Sequence, residues 1–518
     1  MKHQFDLLHE PWIPVVTLDG VARSVSLREA LLNATIYRGV SANLPHTNAA
    51  VLRLLLAVLH RNFGPPNTEV WESLWLRGAF DAAVLDDYFG RWQSRFDLFS
   101  NEHPFYQNRH PLVKEKPAQV LLQMIGGGDT FTLFDHVLDE SSISLTPPEA
   151  ALLLVTAQAF SLAGLAYPQL GLVYNDAPCS RAIVFFVEGK NLFETLMFNL
   201  IQYNRVEPFL WHGEEADRPA WEADDPYLPQ RSQPLGYLDY LTWPNRRIKL
   251  VPEEQSGQSV VVRITTAPGL VLNAEVHNPM HHYRIDAGKK AGEQTVKVLR
   301  FSEGRALWRD SHALLDLHSQ AADVPRSISW MSQLVSDGVL PGRRLQLSAY
   351  GMCTEPGKAK VNFYRGQSFE FDDDLLHNTE LVNTLGTALE HAENLRRELW
   401  STMSRLAAQM ITFDADKENG RKPDSKDVQN LVQHWNAEGL YWNHLEIPFH
   451  RFLDHLPENP AGALQIWHGE LRAAVWAVYE QTVIGLGESQ KALKAAATTR
   501  GWLVYGIKKV LDDRPQEE

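Results

Sequence analysis

Leu385, Ala388, Ala392, Leu395, Leu399, Met403, Leu406 and Met410 recur at three- and four-residue spacing, which is the signature of an apolar stripe down one helix. The pattern predicts a single amphipathic helix over about 374–412, and a stripe that long must be covered by other helices. Further helical stretches follow near 424–440, 442–456, 461–484 and 488–511. Leu464, Trp467, Leu471, Val475 and Val478 give the third of these its own stripe, and Pro457 and Pro460 interrupt the chain before it. Residues 372–518 are therefore expected to form a C-terminal antiparallel bundle of the four-helix type.

Upstream of this region the rhythm is different. Residues 1–371 alternate short strands and helices without a repeating βαβ pattern, so the expected class is α+β with a large mixed N-terminal domain. WIPVV runs through Asp19-Gly20 into VARSV as a hairpin, and Ser26 with Glu29 opens a helix. An apolar helix over 46–63 is closed by Gly64-Pro65-Pro66, and others are expected near 82–98, 147–164 and 191–203, the last after a strand AIVFFVEG. VVVRITT and LVLNAEV flank Ala267-Pro268-Gly269 as a second hairpin. Residues 344–352 and 359–371 pair around a tip at 354–358. The Pro-rich, acidic stretch 207–260, with GYLDYLTWPNRRIKL at its centre, reads as an ordered surface excursion.

Composition narrows the function. The chain has 518 residues, 44% hydrophobic and 22% charged, which is ordinary globular usage. No window approaches 18 consecutive apolar residues and the N-terminus lacks a secretory pattern, so no membrane partner and a cytoplasmic location are expected. Cys179 and Cys353 are too few for a disulfide framework or a four-cysteine zinc site. With 49 basic and 63 acidic residues the net charge is −14, which argues against a free-standing nucleic-acid binder. A subunit contributing local contacts within a larger basic assembly is compatible with that charge.

Signals for chemistry are sparse. No phosphate-binding G-x-x-x-x-G-K-[ST], G-x-S-x-G or H-E-x-x-H occurs. His277, His281 and His282 form either a metal cluster or hydrogen-bonded histidines beside a turn. Asp372, Asp373 and Asp374 form either a two-metal site or the capping end of the long helix, where carboxylates favour the dipole. Gly126, Gly127 and Gly128 open a loop that either cradles phosphate or is simply flexible. Gly171 permits close backbone approach, Lys289 and Lys290 sit on a glycine-flanked tip, and Thr354 to Lys358 form a Pro-Gly turn.

Taken in order, FDLLHEPWIPV, NEHPFYQ at 101–107, TLFDH at 132–136, GYLDYLTWPNRRIKL at 236–250 and NPMHHYR at 278–284 resemble one family. It is the CasA family, the large subunit of the type I-E CRISPR surveillance complex Cascade. The resemblance implies a non-enzymatic subunit without cofactor that recognises the protospacer-adjacent motif (PAM) in double-stranded DNA from the minor groove. It implies a glycine loop at Gln169, Leu170 and Gly171, and a lysine finger at Lys289 or Lys290. It also implies a wedge at Thr354, Glu355, Pro356, Gly357 and Lys358, which starts duplex opening. A loop from Gly126, Gly127 and Gly128 to Phe134, Asp135 and His136 is implied to anchor the subunit on the guide RNA and a neighbouring subunit.

The bundle is implied to meet the small-subunit filament and the displaced strand. Arg396, Arg397, Lys491, Lys494, Lys508 and Lys509 are candidates for that track or for solvated helix charges. A helicase-nuclease is implied as the cutting partner. The chain departs from familiar members in three places. It cannot form the four-cysteine zinc site of some members, it has Glu355-Pro356-Gly357 where their wedge tip carries Gln, and its glycine loop holds one Gly. The other readings are a metal-dependent nuclease built on the Asp372 or His277 groups, and a scaffold without DNA readout.

Overall fold

A computed structural model describes residues 3–126, 143–209, 216–287, 294–355, 358–412 and 423–512. The chain divides into two compact units, Met1–Leu307 with Leu317–Phe369, and Trp308–Asp316 with Glu370–Glu518. The fold is mixed α+β.

The first unit is built on the helix Pro45–Phe63, in which Ala49, Val51, Leu54, Leu55, Ala57 and Val58 are all buried. A helix that is apolar all round has no solvent face to offer, so other elements enclose it. Its one buried cation, Arg53, donates to the carbonyls of Tyr240 and Leu241 at 3.2 and 3.3 Å. The unit also holds small sheets in strand orders Ala22–Val25, Ile13–Thr17, Tyr37–Val40; Val361–Asp372, Arg344–Thr354, Val184–Glu188; Gln294–Val298, Tyr283–Ala287, Ala322–Asp323; and Lys116–Pro117, Gln258–Pro268, Arg246–Gln255, of which Tyr37–Val40 and Arg344–Thr354 pack on this helix. The Asp19-Gly20 turn forms as expected, and the Ser26 side chain accepts from the Glu29 amide.

Three expectations for this region fail. The second hairpin turns at Ser256-Gly257, not at 267–269, and pairs Arg246–Gln255 with Gln258–Pro268. Ser256 and Gly257 both have positive φ, which matches the twist of a tight hairpin. Gly269 serves packing instead: a Cβ there would lie 2.2 Å from the Pro244 carbonyl oxygen. Beyond it the amides of Gly269 and Leu270 bond back to Asn245 and Pro244, so LVLNAEV forms no strand. The segment 236–250 is not a surface excursion either. Tyr237, Leu238, Tyr240, Trp243, Arg246, Ile248 and Leu250 are buried, because its aromatics need more apolar cover than a surface strip provides. The helix expected to run to residue 203 ends at Phe198, capped by Asn199.

The second unit comprises Thr379–Ile411, Ser425–Trp435, Ala437–His455, Pro460–Gly485 and Gln490–Leu511 among the described residues. The stripe from Leu385 to Leu406 is buried as its periodicity predicts. Trp467 Nε1 donates to the Ala388 carbonyl and the Tyr441 hydroxyl to that of Ala392, both at 2.9 Å. These bonds fix the rotation of the long helix against its neighbours. The break expected near 441 falls at Asn436, whose left-handed φ of 50° lets the chain leave one helix and start the next. Trp308 stacks on Phe449 at 4.5 Å and Arg309 pairs with Glu393 at 2.6 Å, so a segment remote in sequence completes this core.

Candidate nucleic-acid interface

The motif at 103–107 works as a strut. Phe105 stacks between Phe96 and Trp221 at 5.4 and 5.6 Å. The Gln107 side chain accepts from the Leu250 amide at 2.8 Å and donates to the Leu98 carbonyl at 2.7 Å. The motif thus fixes the strand Arg246–Gln255 in register. Arg246, at the start of that strand, is 1% exposed. Its backbone is held on both sides by the Gln158 side chain, at 2.9 and 2.8 Å. Its guanidinium donates to the carbonyls of Leu162 and Asn175, each at 2.8 Å. Burial pushes its pKa down to about 10, so it stays charged at neutral pH.

Leu162 and Asn175 bracket the hairpin Gly164–Tyr167 and Leu172–Tyr174. Its tip is a short turn over Pro168–Leu170 followed by Gly171 at φ +66°. Gln169, Leu170 and Gly171 are exposed. A Cβ at Gly171 would meet nothing within 4 Å, so the glycine answers a backbone need and leaves open space in front. Tyr167 packs inward with Val113 and Ala267, and Lys116 Nζ lies 4.2 Å from its ring centroid.

The strands Arg344–Thr354 and Val361–Asp372 carry the other tip. Thr354 ends the first strand half-buried. The Glu355 amide donates to the Lys360 carbonyl at 3.0 Å and the Lys358 amide to that of Glu355 at 3.2 Å. Lys358 Nζ, 2.6 Å from Glu355 Oε1, holds that carboxyl below its ordinary range. Pro356 and Gly357 lie outside the described residues, as do Lys289 and Lys290. The strands leading to those lysines are described: Tyr283–Ala287 pairs with Gln294–Val298.

The segment 175–188 joins all three hairpins. Asp176 accepts from the Ala163 amide at 2.8 Å and from Arg181 Nε at 3.1 Å. Arg181 Nη1 donates to the Lys358 carbonyl at 3.0 Å. The Ile183 amide bonds to the Leu299 carbonyl at 3.1 Å, and the Leu299 amide to His282 at 2.9 Å, at the base of the lysine-bearing hairpin. Val184–Glu188 pairs directly with Gln346–Tyr350. Sequence reading missed Asp176, Arg181 and Arg246. A lone Arg-Arg pair inside the aromatic run TWPNRRIKL was the available signal, since a cation in an apolar run must find buried acceptors.

The remaining candidates scatter. Gly126 ends the helix Gln119–Gly126, whereas Gly127, Gly128, Phe134, Asp135 and His136 lie outside the described residues. Arg396 bonds to Glu393 at 3.0 Å and Lys509 to Glu398 at 3.1 Å, while Arg397 donates to Asn394 at 3.0 Å. Lys494 and Lys508 are exposed on Gln490–Leu511 and Lys491 is half-buried there. The same helix exposes Trp502 and Tyr505, and the Arg405 guanidinium lies 3.9 Å from the Trp502 ring centroid.

Among the described residues, Asp372, Asp373 and Asp374 form the single cluster of three or more potential metal ligands. Asp372 caps the short turn Asp373–Leu376, and the long helix starts later, at Thr379, under an Asn378 cap. The expected dipole role for the trio at that helix is thereby corrected. The histidines are held by protein groups: His277 pairs with Asp323 at 3.2 Å and stacks on Tyr283 at 4.3 Å. His281 bonds to Asn278 at 2.8 Å, and burial pushes its pKa down to about 3. Among the described residues no helix is long and apolar enough to cross a membrane.

Comparison with known proteins places the fold in a family. The sequence model of the family described as CRISPR-associated protein Cse1 matches residues 6–478. The CRISPR-associated protein CasA/Cse1 of Thermus thermophilus is 32% identical over 505 residues, covering 95% of each chain. The crystal structure of Thermus thermophilus CasA superposes with a TM-score of 0.81 at 28% identity, over 98% of this chain and 100% of that one. A chain of a CRISPR RNA-guided surveillance complex shares the fold, with a TM-score of 0.71 at 19% identity over 97% and 99% of the two chains. With the family model spanning nearly the whole sequence, the chain belongs to the CRISPR-associated Cse1 family.

Proposed function

We propose that this chain is the non-catalytic large subunit of a type I-E CRISPR RNA-guided complex. In this reading it recognises the PAM in double-stranded DNA, helps start duplex opening, and recruits the helicase-nuclease. The observation that carries the reading is the convergence on 175–188 of the hairpin bearing Gln169–Gly171, the hairpin bearing Glu355–Lys358, and the base of the strands leading to Lys289 and Lys290. A protruding glycine tip allows backbone to approach a groove floor. A lysine supplies charge and a donor to the acceptor-lined minor groove. A rigid strand tip unstacks the adjacent step at a cost of a few kcal/mol, which the guide–target heteroduplex offsets.

The partners in this reading are target duplex, guide RNA, the other Cascade subunits with the small-subunit filament, and the helicase-nuclease. The bundle meets the displaced strand through Arg397, Lys494 and Lys508, with Trp502 and Tyr505 as stacking surfaces between the cations. A net charge of −14 suits a subunit that contacts DNA only once the complex has gathered it. The test is to assemble the guide RNA and other subunits with and without this chain, and to select from a duplex library randomised beside the target. Enrichment of a short motif only with the chain present is the expected result. Equal enrichment without it overturns recognition and leaves a scaffold.

A further inference from the structure

Asp176 bonds to the support of one exposed tip, and Arg181 bonds to the backbone of Lys358 in the other. One oxygen of Asp176 takes the amide of Ala163, the residue just before the hairpin Gly164–Tyr174. Its other oxygen takes Arg181 Nε, and Arg181 Nη1 reaches the Lys358 carbonyl at the base of the second tip. Asp176 follows Asn175, whose carbonyl is held by the buried Arg246, so the carboxylate is fixed from the core side. The Asn245 side chain also donates to the Asp176 carbonyl at 3.3 Å. The Arg181 side chain is 18% exposed and that of Asp176 37%, so the guanidinium is partly shielded while the carboxylate meets solvent. The planar guanidinium uses two edges at once, one for each hairpin, and a lysine has no equivalent geometry.

We propose that Asp176 and Arg181 form a positioning link that fixes the Lys358 tip relative to the Gln169–Gly171 tip, so that groove readout and strand separation act at a set spacing on the duplex. The inference rests on the recognition reading above. Neither residue touches DNA in this scheme. Their contribution is to place Glu355 and Lys358 against the step next to the one the glycine tip reads. Without the link each tip remains, and the register between them relaxes. The deficit then falls on opening, which needs both tips at once, and disappears when the target is already open.

The experiment compares complexes assembled with wild-type chain, Arg181→Ala, Arg181→Lys and Asp176→Asn. Each is bound to a fully paired target and to the same target with mismatches next to the flanking motif, and opening is followed with 2-aminopurine at the first step. Loss of a charge-assisted hydrogen bond predicts about a tenfold or greater drop in opening for Arg181→Ala on paired DNA. Binding to the mismatched target should stay within about twofold, because no DNA contact has been removed. Arg181→Lys should behave like alanine, and Asp176→Asn should show a smaller drop. Equal losses on both targets overturn the link in favour of general structural damage, and unchanged opening overturns it outright. If the wild-type complex itself ignores the flanking bases, the recognition reading falls and the link falls with it. Discrimination in the wild type together with opening that Arg181→Ala leaves unchanged removes only the link.

Discussion

The guanidinium carbon of Arg246 lies 4.7 Å from the ring centroid of Tyr174, the residue that closes the glycine-bearing hairpin. The same guanidinium holds the carbonyls on either side of that hairpin. A two-stranded hairpin is marginal by itself in water, so its position depends on this buried cation. Arg246→Ala is expected to cost about 3 kcal/mol, because it leaves buried carbonyls without donors. Urea unfolding of the isolated chain measures the loss. A cost below about 0.5 kcal/mol, the usual range for surface changes, shows that the hairpin is anchored elsewhere.

Gly171 separates backbone strain from DNA contact. Placing a Cβ on a residue at φ +66° costs about 1 kcal/mol, and no protein atom opposes it. Gly171→Ala should therefore lower chain stability by that small amount. If the tip enters the groove as proposed, duplex affinity of the assembled complex should fall more than about tenfold. Equal small effects on both would reduce Gly171 to a turn residue.

Asp217 makes stability pH-dependent. Burial pushes its pKa up from 3.8 to about 6, even though the Tyr203 hydroxyl and the Asp239 amide donate to it at 2.7 and 2.8 Å. The nearby Asp239 carboxylate adds to the rise. Between the unfolded and folded values the folded chain keeps a proton that the unfolded chain has released. The contribution is thus fully present below pH 3.8 and lost as pH rises through about 6. Asp217→Asn should gain about 2 kcal/mol over wild type at pH 8 relative to its difference at pH 4. Paired denaturation curves at the two pH values check the sign.

Lys494 and Lys508 are exposed, so replacing both by alanine should leave thermal unfolding within about 0.5 kcal/mol of wild type. If both meet phosphates of a single strand, the slope of log affinity against log salt for the assembled complex should become shallower by about 1.4. An unchanged slope assigns them to solvent. Lys509 is a poor substitute for this test, because Glu398 already engages it.

Local pattern carried much of the fold. The stripe from Leu385 to Leu406 is buried, and Ser26 caps where its spacing to Glu29 predicts. The tip around Thr354–Lys358 lies between paired strands. Such features depend on neighbours a few residues apart, so the sequence displays them directly. The second hairpin was misplaced because Ala267-Pro268-Gly269 and Ser256-Gly257 are both good turn signals. The choice went to the pairing that buries Ile248, Leu250, Val261 and Ile264 on one face.

The candidate site was legible in its tips and hidden in its supports. Gly171 and Lys358 stand in loops, where glycine and lysine are conspicuous. Asp176 and Arg181 look like ordinary loop charges in NDAPCSR, and their partners lie 13 and 177 positions away. Arg246 sits in a stretch that composition assigns to the surface, 84 residues from Leu162.

The sequence by itself determined the helical periodicity, the Ser26 cap, the Asp19-Gly20 turn, and the absence of nucleotide-binding or hydrolase motifs, all of which are short-range properties. Only the tertiary structure decided that 236–250 is core, that Trp308–Asp316 packs with the C-terminal helices, and that 175–188 ties three hairpins together. The physical reason is that a buried charge or amide is satisfied by whichever backbone the packed chain brings within about 3 Å, and periodicity carries no record of that meeting.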